Sequence, residues 1–328
     1  MTFSRRKTLI ACLILVSFAS IANACGGSND KGTGPIVLYA SHNTLWEMQL
    51  GKQPRTIFTV DEATYLMEPA LSHDGKQLAY ALQLPLGAQG SSGIGIDLFV
   101  SRRDGKDRKL VAQHKLTAEA LRDPVWLPDD SGLIFEVRSR TASKSDNRIE
   151  QVDLRTGTRT RLIENATHPA LSPDGKTLAY VEVSPNETET LMAYDMTTKA
   201  TRPLGDTSQL KEFVSLEWSP DGEWLAFIAA DKDSLTVAPA GERGTVFVEY
   251  EVHGDAQDLW AVHRDGGGLR RVNEIANNTP GVCWSPDGTK LYVVDPVKFW
   301  LVDFGTGEKE ELPWDAEPFA YCIAVRPK

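Results

Sequence analysis

Along this chain, short runs of alternating apolar and polar residues come in pairs, and each pair is joined by the same kind of turn. The pairs read PALSHDGKQLAYAL from Pro69, PVWLPDDSGLIFEV from Pro124, PALSPDGKTLAYVEV from Pro169, LEWSPDGEWLAFIA from Leu216 and VCWSPDGTKLYVV from Val282. A sixth starts as CIAVRPK, from Cys322 to Lys328. A period of two predicts strands, with successive side chains on opposite faces. A third run follows each pair, with an apolar-aromatic step and a polar turn: LWEMQLGK from Leu45, LFVSRRDGK from Leu98, LWAVHRDGG from Leu259, FWLVDFGTG from Phe299. A fourth follows that, as in RTIFTV from Arg55, RKLVAQ from Arg108 and TRLIEN from Thr160. Four-stranded units repeating every roughly 40–65 residues predict an all-β propeller. The chain enters on strands two to four of a unit, from Ile36, and ends on strand one. Together these make one blade, so the expectation is six blades, closed by pairing the C-terminal strand with the N-terminal three. Closure removes the sheet edges that an open array would expose.

The turns carry their own chemistry. Proline presets φ near −65°, aspartate bonds nearby amides, and glycine accepts the left-handed region. His73 stands for Pro in the first copy, and Pro128-Asp129-Asp130-Ser131-Gly132 reads as a longer loop in the second. Asp74, Asp174, Asp221 and Asp287 are therefore turn formers rather than calcium ligands. Trp126, Trp218 and Trp284 share one repeat position, and Trp46, Trp260 and Trp300 another, the signature of packing between blades.

The first residues do not belong to this pattern. Arg5, Arg6 and Lys7 precede an apolar run from Leu9 to Ile21, too short to span a bilayer, which reads as a signal peptide over 1–24. Ala22-Asn23-Ala24 is an A-x-A cleavage site. Cys25 and the following Gly26-Gly27-Ser28 also resemble a bacterial lipoprotein box, with Ala22 where that box usually carries Leu. A tether over 25–34 and the propeller over 35–328 complete the division. The predicted location is exported: anchored through lipid on Cys25, otherwise periplasmic or secreted. Loss of the three basic residues leaves 32 cationic side chains against 45 acidic ones, or −13. Such a surface argues against nucleic acid and leaves the lipid anchor as the membrane contact. Cys283 and Cys322 sit two residues out of step on neighbouring first strands. That offset is about 6–7 Å, which favours two thiols over a disulfide.

The Ser-Pro-Asp-Gly repeats resemble those of the TolB-like β-propeller superfamily, over nearly the whole chain after the tether. The resemblance implies a six-bladed propeller of the exported, stand-alone type. TolB's separate α/β domain has no counterpart before the first strands, which argues against a role in the Tol–Pal system. The hydrolase domain of the prolyl-oligopeptidase relatives has none after the last strand. No G-x-S-x-G elbow occurs either, since Gly90-Ser91-Ser92-Gly93 has the wrong spacing, so no peptidase is expected.

Candidate chemistry lies in two places. The position four before the turn serine reads Glu68, Asp123, His168, Ser215, Gly281 and Cys322 around the ring. Glu68, Asp123 and His168 fall on consecutive blades, a set suited to a divalent cation or a cationic ligand group. Long insertions after the second strands of blades two and five mark a binding face bearing Gln89, His253, Asp255 and the off-repeat Trp314. His253 and His263 have no metal-ligand spacing. The expectation is a protein without catalytic activity or bound cofactor that holds a protein or cell-envelope component on the insertion-bearing face. The alternative is a small-ligand or carbohydrate-processing propeller with a divalent cation at the channel mouth.

Overall fold

The computed structural model describes residues 36–49, 52–83, 95–115, 119–139, 146–233, 257–277, 281–294, 298–312 and 320–326. The chain opens with β1 (Ile36–Ser41), β2 (Thr44–Gln49) and β3 (Arg55–Thr59). Five runs of four strands follow. They begin with β4 (Tyr65–Leu71), β5 (Gln77–Gln83), β6 (Ile96–Arg102) and β7 (Lys109–Ala112). Next come β8 (Glu119–Trp126), β9 (Gly132–Ser139), β10 (Arg148–Asp153) and β11 (Arg159–Glu164). The third run is β12 (Ala166–Leu171), β13 (Thr177–Val183), β14 (Glu189–Asp195) and β15 (Thr201–Pro203). The fourth is β16 (Leu210–Trp218), β17 (Trp224–Asp231), β18 (Gln257–His263) and β19 (Arg270–Asn277). The fifth is β20 (Gly281–Trp284), β21 (Lys290–Val294), β22 (Phe299–Asp303) and β23 (Lys309–Leu312), and β24 (Ala320–Arg326) ends the chain. Among the described residues there is no helix long and apolar enough to cross a membrane.

Each run is an antiparallel meander, and β24 lies beside β1, so one sheet runs β24-β1-β2-β3. Counting β1–β3 as the first group and the five runs as the second to sixth, a single parallel bridge, Ile96 to Ala120, joins the second and third groups into one eight-stranded sheet. Burial grades from the inner strands outward. The second strands β5, β9, β13, β17 and β21 are buried along most of their length, whereas β3, β7 and β15 are largely exposed. A sheet sandwiched between two others needs apolar residues on both faces, which is why LIFEV and LAFIAA lose strict alternation.

Apolar clusters fill the space between consecutive groups. Leu121, Phe135 and Leu98 lie between the second and third groups, and Phe213, Phe227 and Leu191 between the fourth and fifth. Val37, Tyr39 and Met48 of the first group pack with Cys283, Tyr292 and Phe299 of the last. Cys283 is a buried thiol in that cluster, and Cys322 lies on β24 opposite Tyr39.

The tryptophans tie the groups together as the repeat predicts. Trp126 Nε1 donates to the Ala70 carbonyl at 2.9 Å, Trp218 Nε1 to Ala170 at 3.0 Å, and Trp284 Nε1 to Glu217 at 3.0 Å. Each bond runs from one first strand to the first strand before it. Trp46, Trp260 and Trp300 pack against the clusters between groups.

The turns behave as expected, with one correction. Ser72, Ser172, Ser219 and Ser285 each donate a hydroxyl to the aspartate two residues on, at 2.5–2.8 Å, and glycine follows at φ 69–74°. The Pro128 turn is not longer than the others. Residues 72–76, 127–131, 172–176, 219–223 and 285–289 all span five positions between their strands. Leu127 stands where serine does elsewhere, and Asp130 takes the left-handed place of glycine at φ 56°. Aspartate tolerates that region better than most residues. Its carboxylate then accepts from the His73 and Asp74 amides at 2.7 and 2.9 Å, joining two neighbouring turns.

Trp218→Phe removes the donor to Ala170 and leaves that carbonyl unsatisfied. The expected loss is about 1–3 kcal/mol, read as a lower urea midpoint at unchanged slope.

Candidate functional site

Glu68, Asp123, His168 and Ser215 share more than a repeat position. All four are left-handed, at φ 49, 48, 51 and 52°. At each, the register with the neighbouring strand slips, between Met67 and Ala70, Arg122 and Val125, Thr167 and Ala170, and Val214 and Glu217. These are bulges on the first strands. A non-glycine residue in this region costs about 1–2 kcal/mol, and a bulge re-aims its side chain while breaking the ladder. In three of the four the next residue is proline, which has no amide to lose.

A bulge amide still needs an acceptor. Glu68 Oε2 accepts from the Asp123 amide of the next group at 2.7 Å, and Glu136 Oε2 accepts from the His168 amide at 2.8 Å. Ser215 Oγ accepts from the Val282 amide at 2.8 Å. The same residues therefore shape the site and fasten neighbouring groups.

The side chains form one charged network. Arg122 Nε and Nη2 donate to Glu68 Oε1 at 2.9 and 2.5 Å. Arg138 Nε donates to Glu136 Oε1, and Arg138 Nη2 meets His168 Nε2 at 2.8 Å. A guanidinium only donates, so Nε2 accepts and the ring carries its proton on Nδ1. His168 Nδ1 lies 3.2 Å from Asp123 Oδ2. The alignment is poor, and Oδ2 is buried without a formed hydrogen bond. Burial pushes the Glu68 carboxyl up, Arg122 opposes, and the adjacent Asp123 charge adds to the rise. Burial would raise Asp123 as well. There the His168 ring, with Arg122 and Arg138 behind it, wins and holds the carboxyl well below the usual carboxylate range.

The structure thus brings Asp123 and His168 together as the repeat predicts and sorts Glu68 differently. Both Glu68 oxygens are taken, by the well-buried Arg122 and by the Asp123 amide, whereas Glu136 shares its oxygens between the His168 amide and the more exposed Arg138. The third group offering a donor atom beside Asp123 and His168 is Glu136, and the three donor atoms lie within 4.8 Å of one another. Glu136 was legible as a break in the pattern. The same position on the other second strands is Ala81, Val181, Ile228 and Val294. Cys25, Gln89, His253, Asp255 and Trp314 lie outside the described residues. His263 is 2.9 Å from Asp265 and 3.4 Å from Glu223, a surface ion-pair group.

One further carboxylate stands apart. Glu217, on β16, occupies a position filled on other first strands by Ala70, Val125, Ala170 and Cys283. It is open to solvent, yet the protein around it desolvates the carboxyl and raises its pKa to about 7. Its exposure makes that value an upper figure. Ordinary glutamate titrates near 4.5, so the folded chain binds this proton more tightly than the unfolded one. The resulting stabilisation is present below about 4.5 and disappears as pH rises through about 7. Melting temperatures of wild type and Glu217→Gln between pH 4.5 and 8 should diverge, wild type losing ground with rising pH. A constant difference would mean a fully solvated carboxylate.

No protein-family model matches the chain. The uncharacterized peptidase YuxL of Bacillus subtilis (strain 168) is 29% identical over 151 residues, covering 44% of this chain and 18% of that protein. The chain thus spans about a fifth of that relative's length. TolB from Acinetobacter baumannii superposes with a TM-score of 0.63 at 16% identity, over 90% of this chain and 67% of that one. An oligogalacturonate lyase in complex with manganese superposes with a TM-score of 0.52 at 15% identity, over 81% of this chain and 69% of that one. These names correct the expectation of a protein without catalytic activity. A relative matching 44% of the chain is named a peptidase, and a lyase uses the same fold. Identities near 15% carry the fold and nothing more. In fold, the chain is a TolB-like β-propeller.

Proposed function

We propose that the chain is an exported, six-bladed propeller that binds a protein or cell-envelope component at one end of its channel. The basic start, the apolar run from Leu9 to Ile21 and Cys25 support export and a lipid tether. Ring closure is supported by the pairing of β24 with β1 and by the apolar cluster joining the last group to the first.

The observation that carries the binding reading is where the longest connections attach. Residues 84–95 link β5 to β6, and 232–256 link β17 to β18. Gln83 pairs with Tyr65 and Asp231 with Leu210, so both connections leave at the ends where first strands begin. Glu68, Asp123 and His168 stand mid-strand on β4, β8 and β12, two to four ladder pairs in from that end. In a six-membered ring the strands that carry these two connections belong to opposite blades. Long loops over a rigid scaffold are where binding surfaces are built. A second reading, a small-ligand or carbohydrate-processing propeller, is favoured by the converging donors of Asp123, Glu136 and His168.

Crosslinked pull-down of the full-length tagged chain from its native membranes tests the first reading. Capture should fall when 232–256 is replaced by a short turn, and a partner retained after both connections are replaced would refute it. Closure has its own test. Deletion of 320–328 should bare the β1 edge and give a protease-sensitive, self-associating chain. A truncated chain that stays monomeric and melts like wild type would refute a closed ring.

A further inference from the structure

We propose that Asp123, Glu136 and His168 form a binding site for a first-row divalent cation, with Arg138 as the internal cation that the metal displaces. The proposal rests on reading this channel end as a binding site and names what binds there. Three observations carry it. The donor atoms already lie within 4.8 Å of one another. Asp123 Oδ2 and His168 Nδ1, at 3.2 Å, have the separation of adjacent ligands on one ion, about 3–3.5 Å for metal–ligand bonds near 2.1 Å. Asp123 Oδ2 is buried and faces the His168 ring without a well-formed hydrogen bond, so it can turn to a cation at little cost. Imidazole with two carboxylates suits Zn²⁺ or Mn²⁺ better than Mg²⁺ or Ca²⁺.

Charge decides whether an ion can enter. Glu68, Asp123 and Glu136 face Arg122 and Arg138, and the Nε2 of His168 accepts from Arg138, leaving one net negative charge. Arg122 is fixed on Glu68, with 16% of its side chain exposed. Arg138 contacts both Glu136 and His168, but 37% of its side chain is exposed. Its guanidinium can turn into water and give up both contacts. Binding through Nδ1 moves the ring proton to Nε2, which then donates to water and can no longer accept from Arg138, so metal binding and the Arg138 contact exclude each other.

The test is titration of the full chain with Zn²⁺ and with Mn²⁺, followed by calorimetry, together with the visible absorption of bound Co²⁺, which reports imidazole coordination. The expected result is one ion per chain, weakened at least about tenfold in Asp123→Asn and in His168→Gln. Arg138→Gln should bind more tightly than wild type, an effect that a merely structural arginine would not give. Thermal melts establish that each variant is folded. Absence of binding in wild type and in a folded Arg138→Gln would overturn the proposal. So would binding that Asp123→Asn and His168→Gln leave unchanged. Partner capture is a separate readout, so loss of one reading leaves the other intact.

Discussion

The structure depends on polar bonds that run from one sheet to the next through their innermost strands. Apolar packing alone would hold neighbouring sheets together without fixing their angle or height, since the hydrophobic effect is non-directional. The indole of Trp218 reaching the Ala170 carbonyl, and those of Trp126 and Trp284 reaching theirs, set that geometry. The carboxylates add a second fastening. Glu68 and Glu136 receive the bulge amides of Asp123 and His168, which have lost their ladder partners. An orphaned buried amide is costly, so the bulge and its cap must be kept together.

This dual use explains why the charged network is held so tightly. Removing one member of a buried ion pair strands the other, at about 3–5 kcal/mol. Glu136 has no exposed side-chain surface and serves Arg138 and the His168 amide at once. Replacing it would disturb the site and the joint between sheets together. Asp123 is different. Its amide is capped, but its Oδ2 is not engaged in a well-formed bond. Of the two carboxylates beside His168, it has the most left to give a ligand.

Much of this was legible in the chain. Alternation gave the strands, Ser-Pro-Asp-Gly gave the turns, and the recurrence of Trp126, Trp218 and Trp284 marked the joints. Asp123 and His168 emerged from aligning first strands on their turns. The partner of Glu68 was not legible, because Arg122 lies 54 positions away on the next group. Nothing in one strand announces which cation will face it. Glu136 escaped for the opposite reason: attention to first strands hid a carboxylate on a second strand, although its neighbours in the repeat are all apolar. The Pro128 turn misled through its letters. Five residues fit whether glycine or Asp130 takes the left-handed place.

Glu217 and Asp123 show how far environment separates two carboxylates on first strands of one fold. Both lose water to the surrounding protein, and desolvation alone would raise both. Asp123 gains His168, Arg122 and Arg138 and stays charged. Glu217, with only desolvation acting on it, moves up to about 7. The first strands therefore carry two kinds of carboxylate: one held as an anion by neighbouring cations, and one pushed toward its neutral form by desolvation. A positively charged group would find a permanent counter-charge at Asp123, whereas the charge on Glu217 depends on pH.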